Sequence, residues 1–390
     1  MKRIATIDTV RGLVMVIMAL DHVRDFIHLP AVAQNPLDLS TTTVPVFLTR
    51  LITHLCAPTF VFLAGTSVYL SLNAGETQEE RLLEKSRFLR KRGLVLILLE
   101  VTLINLAIWS DIQYRTLMLQ VIFAIGAGLI LLSWLHRFQV RYLAVIALAI
   151  IVLHDLLRLV PPFANEPARL VWALLFRQDF FAISPDFGLL LAYPVVPWFG
   201  IMLLGYCCGP LLSQPQAGRK ALFLRIGLGT VGLFLLLRLL NRYGDARPWA
   251  VQNDQVFTLL SFLNVSKNPP SLIFTAFMLG LMFVLLSFFD GRKSWLAQRL
   301  EVYGKVPLFY YLIHWYLAKG AMIGMFLMQG YSFRDMPLGT LNLGRPEGAG
   351  VSLPMTYAVW LMLVVAMYPL CVWYGRYKAE RPEVTWTRYV

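Results

Sequence analysis

The chain has 390 residues, of which 58% are hydrophobic and 15% charged, and its mean hydropathy is +0.63. Soluble domains carry about 25% charged residues, so this composition excludes a soluble module and indicates a polytopic membrane protein. The net charge of +13 does not point to nucleic acid. That partnership needs a basic recognition element, and here Lys and Arg are scattered through short stretches between apolar segments.

Crossing a bilayer takes about 20 apolar residues. Ten segments qualify, roughly 10–28, 45–72, 93–110, 116–135, 142–160, 188–212, 221–241, 270–289, 305–329 and 352–375. They predict an all-α fold of about ten transmembrane helices in a single membrane domain over 1–390. Segment 166–183 is amphipathic and too polar to span, so it is expected to lie as a helix at the surface.

The first helix carries charges of its own: Asp8 and Arg11 near its start, then Asp21, His22, Arg24 and Asp25. A charge in hydrocarbon costs at least about 2.5–3.5 kcal/mol on insertion scales, so it faces a wet cavity or a partner. These charges, and the lack of a small-residue cleavage site after them, argue against a cleavable signal peptide. Three helical turns take about 10.8 residues, which puts Arg11 and His22 on one face, about 16 Å apart. Asp8 and Asp25 join that face through spacings of three. An imidazole of ordinary pKa about 6.5 suits general-base work, and Asp21 or Asp25 is placed to orient it.

The second helix holds Arg50 and His54 at i,i+4 on one side, with Pro58 expected to kink it and Gly65 to admit a close neighbour. Residues 73–92 form a charged, helical linker. Glu100, Asn105 and Gln120 can pair between the third and fourth helices, and His154, Asp155 and Arg158 snorkel at the end of the fifth. Pro194 and Pro197 mark a broken start to the sixth, of the kind that can line a cavity. The segments 29–44, 161–187, 242–269 and 330–351 are long for connectors, and long loops of this kind carry function. They suggest a vestibule for an acceptor. Within them Arg247 and Trp249 could hold a sugar, and Asn264 and Lys267 lie in the run Asn264-Val265-Ser266-Lys267-Asn268-Pro269-Pro270. The ninth helix offers Tyr310, Tyr311, His314 and Lys319. Cys56, Cys207, Cys208 and Cys371 lack metal-ligand spacing and are expected as buried thiols.

Orientation follows from the positive-inside rule. Lys2, Arg3, Arg87, Arg90, Lys91, Arg92, Arg137, Arg141, Arg219, Lys220, Arg292, Lys293, Arg299, Arg376, Lys378 and Arg381 gather on one set of loops. The opposite loops hold far fewer, so both termini are placed in the cytoplasm.

The opening run Ile7-Asp8-x-x-Arg11-Gly12, followed by His22, resembles the first helix of the transmembrane acyltransferase superfamily. Arg50-Leu51-Ile52-Thr53-His54-Leu55-Cys56-Ala57-Pro58, Leu119-Gln120-Val121-Ile122, Tyr193-Pro194-Val195-Val196-Pro197-Trp198, Asn264-Val265-Ser266-Lys267 and Val306-Pro307-Leu308-Phe309-Tyr310-Tyr311 narrow the likeness. Together they resemble the bacterial branch of the heparan-alpha-glucosaminide N-acetyltransferase catalytic-domain family, from the first helix through the ninth. The resemblance implies that acetyl-CoA (or another short acyl-CoA) from the cytosol supplies an acyl group to a sugar hydroxyl or amine outside. It also implies a catalytic histidine. In O-acyltransferase relatives that histidine closes the first helix at the Arg11–His22 spacing; in the lysosomal enzyme it precedes the second helix. No His lies between Leu29 and Thr53, which favours His22, with His54 in reserve. It also favours a bacterial cell-surface or lipid-linked glycan over heparan.

The expected roles follow. His22, Asp21, Asp25 and His54 are the catalytic candidates; Arg11, Arg50, Arg90 and Arg92 would hold the CoA phosphates; Arg247, Trp249, Asn264, Lys267 and His314 would shape the acceptor site. No metal is called for. The setting implied is the cytoplasmic (inner) membrane of a bacterium, among membrane lipids, and a homo-oligomer is compatible with it. The same intramembrane charges also fit a proton-coupled transporter or a flippase of a polar or lipid-linked solute, the alternative class.

Overall fold

The computed structural model describes residues 4–31, 34–72 and 79–389. It is mostly helical, at 70% helix. Helix α1 (Ala5–Ile27) runs unbroken through its charged half. The next segment is two helices, α2 (Val44–Thr53) and α3 (Cys56–Leu72), broken at His54 and Leu55. Pro58 therefore lies in the first turn of α3, where its missing N–H costs nothing, and the expected kink becomes a full break. Helix α4 (Glu79–Leu99) continues through a π turn at Glu100–Ile104 into α5 (Asn105–Trp109). The charged linker is thus helical from Glu79 onward, while 73–78 and the cationic Lys2 and Arg3 lie outside the described residues.

Three strands interrupt the helical pattern, and they correct three expectations. Strand β1 (Thr116–Leu119) precedes α6 (Val121–Leu135), so the fourth apolar segment begins extended. After α7 (Val140–Leu153), the amphipathic segment 166–183 is a helix only as far as α8 (Glu166–Phe176), and then becomes strand β2 (Asp179–Ser184). Strand β3 (Phe187–Leu191) takes the expected start of the sixth helix, leaving α9 (Val195–Cys207) behind the Pro194 cap. β3 lies centrally, parallel to β1 and antiparallel to β2. The apolar residues of 116–119 and 187–191 give no period that separates strand from buried helix, which is why the sequence concealed the sheet.

The remaining helices are α10 (Gly209–Leu212), α11 (Gln216–Leu240), α12 (Gln255–Leu263), α13 (Leu272–Phe289), α14 (Trp295–Lys305), α15 (Pro307–Met328) and α16 (Leu353–Glu380). Helix α12 falls in a stretch expected to be irregular. Among the described residues, six helical stretches are long and apolar enough to cross a membrane: Val44–Leu72, Leu82–Trp109, Val140–Leu159, Gly218–Leu240, Leu272–Phe289 and Leu353–Glu380. The chain is a multi-pass membrane protein. Helices α6 and α9 are apolar but shorter, and α1 holds Asp8, Arg11, Asp21, Arg24 and Asp25.

Helix α1 is the centre of the assembly, packed by α14, α15, α16, α3, α13 and α2. Its closest approach is at Gly12, where a Cβ would stand 1.8 Å from the Leu300 carbonyl oxygen; a Cβ on Gly304 would stand 1.7 Å from that of Asp8. The Gly65–Gly205 crossing of α3 and α9 is built alike: a Cβ on Gly65 would meet the Met202 carbonyl oxygen at 1.9 Å. Small residues let backbones meet in this way where no hydrophobic drive separates lipid from protein.

The connections gather on two faces. On the loop-rich face, Leu29 N–H donates to Val351 O, Arg115 to Leu338 O and Asn264 to Leu37 O. On the face that carries the start of α1, Thr6 and Arg219 share Asp290, and Ser86 bonds His136.

Candidate active site

The charged half of α1 resolves into two adjoining clusters. Asp21 accepts from Thr53 Oγ1 at 3.0 Å and pairs with Arg24 at 2.7 Å and with Arg50. Arg24 also bonds Asp25 at 2.7 Å. The Asp21 and Asp25 carboxylates are therefore held by guanidinium groups, and neither is bonded to His22. The charges expected on one helix are neutralised by the break between α2 and α3, which brings Arg50 and Thr53 against α1.

His22 turns to α15 instead. Its Nδ1 lies 2.7 Å from His314 Nε2, and His314 Nδ1 lies 3.0 Å from the Tyr310 carbonyl oxygen. A carbonyl can only accept, so His314 carries its proton on Nδ1 and accepts at Nε2. His22 then donates from Nδ1, and its Nε2 presents a lone pair. The tautomers are thus assigned from the hydrogen-bond network. The His22 ring stacks on Trp315 with centroids 3.8 Å apart and planes at 17°. Beside it, the Tyr311 hydroxyl and Trp315 Nε1 are buried within reach of each other. The sequence placed His314 among acceptor-binding groups; its partnership with His22 was concealed because nothing in either helix alone fixes the register between them.

His54 ends α2, is 1% exposed and stands edge-on to Phe274. Among the described residues, neither of its ring nitrogens has a partner. It borders a cavity of about 480 Å³ that opens on the loop-rich face. Arg24, Arg50, Arg158, Arg177, Arg247 and Lys267 line this cavity, against the carboxylates of Asp25 and Asp155. Lys267 sits over the Tyr193 ring at 5.7 Å. Asn264 and Trp249 do not line the cavity and are engaged behind its wall: Asn264 Nδ2 donates to Leu37 O, and Trp249 Nε1 donates to the Arg238 carbonyl at 2.8 Å. His154 and Asp155 do not snorkel but are buried, Asp155 accepting from Leu272 N–H.

Two residues that the sequence reading missed hold this wall in place. Buried Asp245 accepts from Arg247 N–H, Ser266 N–H and Oγ, and Ser271 Oγ. Arg238, 1% exposed, donates to the carbonyls of Arg247, Ser261, Phe262 and Asn264. For Arg238 the signal available was a charge inside an otherwise apolar helix; Asp245 lies in the loop beyond it and offered none.

At the other end of α1, Arg11 bonds Asp8 at 3.1 Å and Ser67 Oγ at 3.0 Å. Half-buried Arg92 of α4 is close enough for the two charges to interact, and its Nε is unpartnered. Arg90, on the same helix, is half-buried. Arg50 does not join them, since Asp21 and Arg11 are separated by about 15 Å of helix. Met15 and Met18, 1% and 4% exposed, occupy the stripe between Arg11 and His22.

Such a fold and site define a class: a multi-pass helical protein with a histidine centre buried beneath its loop-rich face and a cationic pocket opening on that same face. The family model described as heparan-alpha-glucosaminide N-acetyltransferase, catalytic, matches residues 3–234, more than half of the chain. The chain belongs to that family of membrane acetyltransferases. No curated protein matches it. The match takes in Arg11, Asp21, His22, Arg50 and His54, while Lys267, His314 and Trp315 lie beyond its end.

Proposed function

We propose that the protein moves an acetyl group from cytosolic acetyl-CoA to a hydroxyl or amine of a sugar on the opposite side of the membrane, with His22 as general base. The observation that carries this reading is the His22–His314–Tyr310 chain, which leaves His22 Nε2 as the free acceptor. In the reaction, His22 Nε2 takes the proton from the acceptor O–H or N–H as that atom bonds to the thioester carbonyl carbon. The C–S bond then breaks, and the imidazolium returns the proton to the departing thiolate. The Trp315 face beneath the ring favours the imidazolium, and the Tyr311 O–H and Trp315 N–H are donors for the developing oxyanion. Asp21 balances the local charge through Arg24 and Arg50.

In this reading the membrane is the cytoplasmic one of a bacterium, with both termini inside. The six long apolar stretches, the shorter α6 and α9, and the charged α1 and α15 make ten crossings of one domain. Arg11 with Arg90 and Arg92 receives the CoA phosphates, and Met15 and Met18 turn aside to admit the pantetheine arm, since unbranched side chains repack at low cost. Arg247, Lys267 and His54 face the acceptor.

Purified protein given labelled acetyl-CoA and a panel of amino and neutral sugars tests this directly. Transfer that depends on His22, and CoA binding that weakens in Arg11→Ala, are expected. Uptake of solute by proteoliposomes under a pH gradient, without any acyl donor and without transfer, would establish the transporter class instead.

A further inference from the structure

Two cavities meet at the loop-rich end of α1. One is the cationic pocket bordered by His54. The other, also about 480 Å³, is walled almost wholly by apolar groups, among them Ala31, Pro45, Val46, Leu353 and Pro354. Both are bounded by Arg24, Asp25, Asn35 and Pro36. Leu48 and Met355, on the outer surfaces of α2 and α16 that flank the apolar cavity, are exposed where lipid would lie.

Among the described residues the junction holds buried polar atoms without partners. Arg24 is 1% exposed; its Nη2 bonds Asp21 and Asp25, while Nε and Nη1 meet no acceptor among the described residues. His28, 6% exposed in the wall of the apolar cavity, has Nδ1 3.3 Å from Val351 O and an unpartnered Nε2. Arg345, 4% exposed, lies close enough for its charge to act on His28 and has two unpartnered nitrogens of its own. Buried polar atoms in native proteins are nearly always satisfied, so each exception calls for a cause. An anion at this point would satisfy several of them together.

We infer that the acceptor is a sugar carried on a lipid phosphate. Its hydrocarbon chain occupies the apolar cavity, its phosphate lies against the N–H groups of Arg24 Nε and Nη1, and its sugar reaches the cationic pocket beside His22. This rests on the acetyl-transfer reading for the fate of the sugar, though not for the binding of the lipid. A free saccharide has no use for an apolar cavity joined to its site. A membrane lipid does, and its chain enters between α2 and α16 from the bilayer.

The test uses the full-length protein in detergent, with farnesyl phosphate, farnesol and inorganic phosphate as probes and binding read by native mass spectrometry. Farnesyl phosphate should bind at least about tenfold more tightly than either of the others. Val46→Trp, which fills the apolar cavity and leaves the ion pairs alone, should weaken it by a similar factor. Arg24→Lys should bring farnesyl phosphate down to the level of farnesol. Equal binding of farnesyl phosphate and farnesol, or no effect of Val46→Trp, would overturn the proposal. Acetyl transfer is then compared on glucosamine 1-phosphate with and without a prenyl chain. A free sugar acetylated as fast as the prenylated one overturns the lipid-linked acceptor and leaves acetyl transfer standing. Tight, Val46-dependent binding of farnesyl phosphate with no transfer to either sugar upholds the lipid site and removes the acetyltransferase reading.

Discussion

In the proposed mechanism the chemistry turns on His22, and its neighbour His314 decides which nitrogen acts. His22→Gln is expected to lower transfer by about 10²–10⁴-fold, the usual worth of a positioned general base. His314→Gln should cost less and should distort the pH profile of kcat, because His22 then loses the acceptor that fixes its tautomer; unchanged kcat and pH profile in that variant would remove the pairing from the mechanism. Much of this site was legible in the sequence. A His among Asp and Arg inside an apolar helix can only be tolerated where partners meet it, and the eleven-residue register set Arg11 and His22 apart along one face. The partners themselves were not legible. Asp21 adjoins His22 in the chain yet bonds Arg24, Arg50 and Thr53, because successive helical residues point about 100° apart. Trp249 was singled out as a sugar platform, and its indole N–H instead supports the Arg238 carbonyl.

At the scale of elements, the closeness of α1 to α14 depends on paired glycines. Gly12→Leu should destabilise the protein by about 2–3 kcal/mol or more, the cost of overpacking against backbone that cannot yield, read as a fall in thermal unfolding temperature. Gly229→Ala is its control. A Cβ there meets nothing within 4 Å, and removing a helix-interior glycine should be neutral or stabilise by about 0.5–1 kcal/mol. Helices were well anticipated because length and apolarity define them. The strands were not: β1 forms by pairing with β3 some 70 residues on, Thr116 opposite Gly188, and the local β2–β3 hairpin carries apolar runs that period alone does not separate from helix. Next to β1, the buried side chain of Glu100 in the π turn accepts the Gln120 N–H at 3.2 Å and so ties α4 to the start of α6.

The sheet also gives a pH dependence. Arg169 grips Asp179 through two bonds of 2.7 Å, and this holds the Asp179 carboxyl below its ordinary value of 3.8. A carboxyl lowered in the folded state contributes stability that is fully present above its unfolded value and is lost as pH falls through the folded one. Arg169→Gln should therefore speed proteolysis of the β2–β3 hairpin at neutral pH, and the difference from the parent should vanish once the solution is acid enough to protonate Asp179. A difference that persists in acid would show that Arg169 acts through packing alone.

Across the whole molecule, function is a matter of direction. The basic residues Arg137, Arg219, Lys220, Arg292 and Lys293 lie on the face with the start of α1, and the cationic pocket opens on the other. Single cysteines introduced at Gln298 and at Thr340 should react with an impermeant maleimide from opposite sides of sealed vesicles; labelling from one side would break the proposed topology. The account as a whole stands on transfer across the membrane by His22. Proteoliposomes that hold an amino or neutral sugar on the loop-rich side, with radiolabelled acetyl-CoA only on the side of the termini, measure it most directly. The account predicts label in the sugar, reduced by about 10²–10⁴-fold in His22→Gln. Undiminished labelling by that variant, or labelling only when donor and acceptor share one side, would contradict it.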